Sequence, residues 1–518
     1  MEEPSRTDRF AGDPRGAARP PEPDAGRTLA AILVVGTLVR LAGGWAMGLG
    51  VDESYMVANA DALQLSYFDH PPLAYWLLWT MKRAVPGASP LLLRLPFILL
   101  TAASTLLVAR LGARLRDRRA FGALLFTLAP LWGLAGGWAL PDVPLTFGIL
   151  LAANGLFDVL DADGPSQGWS GWLWAGVGAG VALLSKYHAV LILAGLAPFF
   201  LAAPAQRRRL AHPGPWAAAL IALVLSSPVL LWNWQHHWVS LSFQAGRAVS
   251  GSLSPGAVAA GLLGPALFLT PWLWWPLLRE GVRAIRRGPG DERAFLLGCL
   301  AAPPLVLFSV LPFLGSRVLA HWAGPGFLLL VPLLGREVDG RWDDRSDRAL
   351  HAWLRFSLVA TPVIWLAVLP QASWSAWRRV LPAWPASLDP THEAVGWADF
   401  RTWASRQGLL GRSDLFAATT SWRDGGKAAV ALGAGLPVVV LGPDSRNFAF
   451  SRDQRSMLGR DAILFAKEEE IANLVATSRP HFRAIEPLPP LPITRGGQVE
   501  LRLGLALARG FIGPVPAP

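Results

Sequence analysis

Between Val51 and Tyr75 the chain reads VDESYMVANADALQLSYFDHPPLAY, which gathers Asp52, Glu53, Asp61, Asp69 and His70 directly after a hydrophobic run. Carboxylates and an imidazole this close together can move protons. A positioned carboxylate can take the proton of a hydroxyl nucleophile while a neighbour steadies the developing charge. A solvated loop between two membrane helices would tolerate the same residues. Asp52-Glu53, however, abuts the apolar run and shares its loop with apolar and aromatic side chains, which favours a reactive loop.

Other polar residues need an account for the same reason. Asp142 lies in LAGGWALPDVPLTF, between two apolar runs. A carboxylate at the centre of a membrane helix costs about 2.5–3.5 kcal/mol, so Asp142 belongs at the surface or in a wet cavity. With Val143-Pro144 following, it can cap the next helix, and a cap at a cavity mouth can still meet substrate. Arg40 sits deep in the first apolar run, where it either pairs with a carboxylate on a neighbouring helix or binds an anion. Lys186-Tyr187-His188 and Arg317 with His321-Trp322 stand at span ends, where such side chains can also anchor at the interface. Cations gathered beside carboxylates suit a phosphate-bearing substrate and a hydroxyl nucleophile.

The elements that must hold these residues are membrane helices. Of 518 residues 52% are hydrophobic and 16% charged, and the mean hydropathy is +0.36. A soluble chain of this length rarely carries so little charge. Trp is abundant, at 25 residues against four Tyr, as expected of helix ends anchored among headgroups. The net charge of +11 does not mark a nucleic-acid surface, because the arginines sit in short loops between apolar runs. One cysteine, Cys299, excludes an intramolecular disulfide and a cysteine-based zinc site.

Residues 1–27 are polar and rich in Pro, Gly and Arg, and read as a disordered cytoplasmic tail. Apolar runs follow at roughly 28–49, 91–109, 120–138, 142–160, 171–185, 188–204, 214–232, 256–278, 294–313, 318–335 and 350–370, about eleven spans and up to about 13. One set of loops, with the tail, holds about 22 Lys and Arg residues; the alternate loops hold only Lys82, Arg83, Lys186, Arg247 and Arg317. By the positive-inside rule the N-terminus is cytoplasmic and the Asp52 loop faces outside. The span count puts the C-terminus outside too. From about Gln371 the texture becomes that of a soluble domain. Thr391 to Gln407 reads as a helix, DLFAATT, PVVVLG and DAILFAK as strands, and Trp422–Leu432 and Glu468–Thr477 as helices, so residues 371–518 suggest a small α/β domain. The Gly pairs at 425 and 496 make no dinucleotide fingerprint. His236 and His237 in WNWQHHWVSLSFQ diverge as adjacent side chains, and an amphipathic segment at the membrane surface accounts for them better than a metal does.

Taken in order, these pieces form a pattern: Arg40 before Asp52-Glu53-Ser54-Tyr55, DHPPL at 69–73, Pro141-Asp142 with Pro144-Leu145, SKYH at 185–188, SPVLLWNWQHHWVSLSFQ at 227–244, HWAGPGF at 321–327 and DPTHEAVGW at 389–397. The chain resembles the bacterial protein-mannosyltransferase-like glycosyltransferases of the membrane-embedded GT-C fold, which include the aminoarabinose transferases acting on lipid A. The resemblance implies a polytopic α-helical catalytic domain over residues 28–370 in the bacterial inner membrane, with the α/β domain outside. It also implies transfer of a sugar from a polyprenyl-phosphate carrier to a hydroxyl of a lipid, glycan or protein.

Asp52 carries over as general base with Glu53 in support, Asp142 as the second catalytic carboxylate and His70 as a substrate residue. Arg40, Lys186 and Arg317 are the candidates for the donor phosphate, and Tyr55, Tyr187 and His321 are their companions in the substrate site. Asp61 and Asp69 match no catalytic role and are assigned to structure. One base and a direct displacement would invert the anomeric centre. No cofactor is expected, no DxD motif is evident in the outer loops, and a metal requirement is left open. A secondary transporter would carry inverted repeats, which the sequence does not show. A lipid-linked glycan ligase would differ in acceptor rather than chemistry, and a sugar-binding receptor would have no use for the charged first loop.

Overall fold

The computed structural model describes residues 24–162, 168–202, 204–249, 253–316, 318–382, 384–385 and 388–513. Helix α1 (Ala25–Ala46) leads through a short turn into α2 (Val51–Asn59), the small helix that bears Asp52 and Glu53. α1 has two unlike sides. Val34, Val35, Leu38 and Trp45 are exposed, whereas Ile32, Gly36, Arg40, Gly43 and Gly44 are buried. At 100° per residue these sets lie opposite each other, which suits a helix with lipid on one side and protein on the other.

Helix α3 (Pro90–Arg114) packs beside α1, and α4 (Asp142–Asp161) and α5 (Trp169–Ser185) form an antiparallel hairpin. Small residues let this hairpin close. A Cβ on Gly148 would lie 2.6 Å from the Ala182 backbone nitrogen, and one on Gly178 would lie 2.3 Å from that of Ala152. Such contact is the usual means of joining helices where lipid removes the hydrophobic drive. It also sets the start of α4, with Asp142, beside Lys186, which caps the end of α5.

Six stretches among the described residues are long and apolar enough to cross a membrane: Ala25–Ala46, Pro90–Arg114, Asp142–Asp161, Pro213–Gln235, Pro271–Leu314 and Arg348–Trp374. All eleven expected runs contain helix, but several are short or broken. The run at 120–138 is divided at Ala129-Pro130 and ends in a 3-10 turn at Ala135–Gly137. That at 256–278 breaks at Thr270, whose φ is +68°, ahead of Pro271. Pro271–Leu314 turns back on itself at Gly288–Asp291, so that Gly298 meets Ala284 and Ile285. At the far ends of α3 and α4, Arg110 and Arg114 pair with Asp158, and Arg293 with Asp161. Arg119 bridges Asp339 and Asp343, and Arg336 reaches Asp291. These arginines come from the loops that carry the charge bias, and here they knit the helix ends together.

In the C-terminal α/β domain β1 (Leu415–Thr419), β2 (Val438–Val440), β3 (Asp461–Lys467), β4 (Phe482–Arg495) and β5 (Gln498–Phe511) form one sheet in the order β2-β1-β3-β5-β4. β1 pairs in parallel with β2 and β3, while β5 runs antiparallel to β3 and β4. The three expected strands are present, and α6 (Trp422–Leu432) and a helix at Ile471–Ser478 lie near the expected helices. The β4–β5 hairpin is an addition. FRAIEPLPPLPITR carries four prolines, which argue against a strand, yet β4 is the edge of the sheet, where a missing N–H is tolerated. Gly496 and Gly497, at φ +57° and +80°, make the tight turn between the two strands. The helix expected at Thr391–Gln407 is two pieces, a turn at His392–Ala394 and a helix at Ala398–Arg406, separated by extended Val395.

One apolar cluster spans both parts of the molecule. Leu49, Tyr55, Met56 and Val57 pack with Trp422, Val440 and Phe448. The C-terminal domain therefore sits directly on α2.

Candidate active site

The position of α2 is set by a charge pair. Glu53 is 3% and Arg94 1% exposed. The Arg94 Nε and Nη2 donate to the two Glu53 oxygens at 2.8 and 2.5 Å. The remaining Arg94 donors go to the carbonyls of Gly44, Met47 and Gly48, which end α1 and begin the turn. Glu53 in addition accepts from the Gly50 N–H, as in a capping box, and from the Ala139 N–H, each at 2.8 Å. The α1–α2 turn, α3 and the segment before α4 thus meet at one carboxylate.

The same arrangement leaves Asp52 facing the other way. A cavity of about 490 Å³ opens beneath the C-terminal domain, and Asp52, Tyr55, His70, Asp142, Lys186, Tyr187 and His321 all line it. Glu53 and Arg40 are not among the lining residues, and Arg317 lies outside the described residues. Asp52 has no hydrogen-bond or ion-pair partner among the described residues. Its side chain is open to the chamber yet ringed by protein, and this enclosure pushes its pKa up, with Glu393 adding to the rise and Arg446 opposing it.

Lys186, which lines the same chamber, donates to both oxygens of Asp142, at 2.8 and 2.9 Å. Asp142 is the first residue of α4 and makes no capping bond, so the expected cap is replaced by this pair. Lys186 is itself 4% exposed, and its ammonium reaches the chamber already engaged by a carboxylate. Burial lowers the His70 pKa to about 4, so at neutral pH the ring can hydrogen-bond but brings no charge to a phosphate. Arg40 donates to the Trp132 carbonyl at 3.1 Å; it supports the broken segment that carries Trp132 and Gly136, both of which line the chamber. The Tyr187 hydroxyl accepts from Asn233.

Several further residues, to which sequence reasoning assigns no role in the site, also line the chamber. Asp69, assigned to structure above, does line the chamber, where it accepts from the Tyr55 and Tyr75 hydroxyls at 3.1 and 3.2 Å and lies 3.5 Å from Arg446. Glu393, Trp422, Arg423 and Arg446 come from the C-terminal domain. Arg446 stacks 3.7 Å from the centre of the Trp422 ring and holds a left-handed backbone, φ +48°. Strain of this kind persists where the surroundings over-determine it, as they do here. Arg94 could have been found by the reasoning applied to Arg40, since it too is a cation in an apolar run. Among the described residues no group of three or more His, Cys, Asp or Glu is placed to hold a metal ion. His236 instead stacks on Trp232, in the last turn of the helix Pro213–Gln235.

Residues 69–232 match the family described as dolichyl-phosphate-mannose-protein mannosyltransferase. The lipid A galacturonosyltransferase RgtD of Rhizobium johnstonii is 28% identical over 53% of this chain and 57% of its own length. An undecaprenyl phosphate-alpha-4-amino-4-deoxy-L-arabinose arabinosyl transferase of Pseudomonas paraeruginosa is 34% identical over 63% of this chain and 64% of its own length. The chain thus spans about three-fifths of these curated relatives. The crystal structure of ArnT from Cupriavidus metallidurans bound to undecaprenyl phosphate aligns with 92% of this chain and 97% of that one, at a TM-score of 0.64 and 15% identity. On these grounds the chain is a multi-pass membrane protein of the GT-C fold, related to the protein-mannosyltransferase and aminoarabinose-transferase glycosyltransferases.

Proposed function

We propose that this protein transfers a sugar from a polyprenyl-phosphate carrier to an acceptor hydroxyl at the outer face of the bacterial inner membrane. The observation that carries the reading is Asp52, an unpaired carboxylate among the described residues, in a chamber that the Asp142–Lys186 pair also lines. Asp52 takes the acceptor proton as the new O–C1 bond forms. The C1–O bond to the carrier phosphate breaks in the same displacement, polyprenyl phosphate leaves and the anomeric centre inverts. Lys186, oriented by Asp142, is the charge available to the departing phosphate, and the arrangement needs no rearrangement as that charge develops. Arg317 is proposed for the same phosphate. Relatives named as lipid A galacturonosyltransferase and undecaprenyl phosphate aminoarabinose transferase support a polyprenyl-phosphate donor and a lipid A acceptor. In this reading the N-terminus faces the cytoplasm, residues 28–370 form the catalytic membrane part, and residues 371–518 lie outside, as the loop charge bias suggests.

Purified protein in detergent, given a radiolabelled polyprenyl-phosphate sugar and lipid A, is expected to move label into the lipid. A transporter can form no product in a system without compartments. Mass spectrometry of a strain lacking the protein should show one sugar mass missing from its lipids; unchanged lipid and glycan masses would sink the reading.

The pH profile gives a further check. Transfer needs ionised Asp52, so the rate falls as pH drops through a pKa that stands above the ordinary carboxylate value. Glu393→Gln removes a charge that raises this pKa and frees Arg423, its ion-pair partner. Both effects favour the carboxylate. The acid limb of the rate profile should therefore move to lower pH, and an unmoved limb would detach Asp52 from it.

A further inference from the structure

We infer that Lys427, on the C-terminal domain, is a positioning residue for the base-bearing helix, so that the outer domain is a working part of the catalytic centre. This rests on the proposed role of Asp52. Lys427 is 6% exposed, and its ammonium donates at 2.6 Å to the carbonyl of Leu49 and at 3.1 Å to that of Val395. Leu49 stands in the turn just ahead of α2, three residues before Asp52. Val395 is two residues beyond Glu393, the lining carboxylate that raises the Asp52 pKa. One buried ammonium therefore ties the backbone leading to both carboxylates.

The neighbouring contacts show how little slack there is. A Cβ on Gly426 would lie 2.7 Å from the Tyr55 nitrogen and 2.8 Å from its Cα, so α6 runs backbone against backbone on α2. A Cβ on Gly48 would come within 2.3 Å of the Ala394 carbonyl oxygen. The Gly425-Gly426 pair, which made no nucleotide fingerprint, is the place where the domain touches the base helix. Asn447 completes the hold, donating its N–H to the Tyr55 hydroxyl at 3.0 Å and its amide to Asn59 at 3.1 Å, and accepting from the Phe68 N–H at 3.0 Å. Burying an ammonium is costly unless it is hydrogen-bonded, so Lys427 has few alternatives to the two carbonyls that hold it. Its loss should let α2 drift, and a displacement of about 1 Å in a reacting group can cost about 100-fold in rate.

The test uses the full-length protein carrying Lys427→Met, Lys427→Arg or Gly426→Ala, with Arg509→Gln on the exposed face of β5 as control. Bound radiolabelled polyprenyl-phosphate sugar counts competent sites, and the transfer rate is divided by that count. Expected are an undiminished site count and a rate per site lowered about 100-fold in Lys427→Met and in Gly426→Ala, with partial recovery in Lys427→Arg. Backbone hydrogen exchange over residues 51–59 should accelerate in the first two variants whether or not transfer is measured. A rate that falls only in step with the site count, or an unchanged rate per site, overturns the inference. Unaltered exchange over residues 51–59 overturns it independently of the enzyme assay. Absence of transfer by the unsubstituted protein would instead count against the proposed function.

Discussion

Replacing Asp52 with Asn is expected to lower the transfer rate by about 10²–10⁴-fold while leaving the amount of folded protein and its donor binding unchanged. The range is the usual worth of a positioned general base. Stability should be spared because Asp52 gives no hydrogen bond or ion pair to any described residue, and Asn has the same shape. Asn carries no titrating carboxyl at position 52. Residual transfer by Asp52→Asn should therefore lack the acid limb expected for the native protein. Asp142→Asn is a less clean substitution, since it strips the counter-charge from buried Lys186 and so disturbs structure and chemistry together. Undiminished transfer by a well-folded Asp52→Asn protein would remove the base assignment, and the search would pass to Asp69 and Glu393, which line the same chamber.

The sequence was informative where the signal is local. Hydropathy marked the helical runs, alternating loop charge marked one set of helix ends, and the order of short motifs located Asp52, Asp142 and Lys186, which do meet in one chamber. It was silent on pairings that link distant parts of the chain. Nothing near Glu53 indicates that its partner is Arg94, 41 residues on, or that Ala139, 86 residues on, donates to the same carboxylate. Nor does anything near Trp422 or Arg446 show that they form the roof of a chamber in the membrane part, because an exposed arginine and a docked one have the same local spacing. The strand β4 was not legible for a different reason, its prolines. They weigh against a strand in general, and only the sheet order shows that this strand is an edge.

The Glu53–Arg94 pair is where the largest effect on stability is expected, and it separates two roles that Glu53 could play. Left to burial alone, the Glu53 carboxyl would have a raised pKa; the Arg94 guanidinium and the N–H groups of Gly50 and Ala139 outweigh burial and hold it below the usual value. A depressed carboxyl pKa means stability that is present above the unfolded value, about 4.3, and is lost as pH falls through the folded one. Breaking a buried pair from one side leaves the other charge uncompensated and costs about 3–5 kcal/mol. Glu53→Gln and Arg94→Met should therefore each cut the fraction of protein that survives heating in detergent, and each should sharpen acid sensitivity less than the native pair does. The double variant Glu53→Gln/Arg94→Met should lose less than the sum of the two, because no buried charge remains unpaired. A Glu53 acting directly on substrate would behave otherwise: Glu53→Gln would keep its heat resistance and lose only turnover. That outcome would place Glu53 in the chemistry and leave the geometry at Arg94 without its consequence. The structure favours the first result, since every oxygen of Glu53 is already held by α3, by the turn into α2 and by the segment that leads to Asp142.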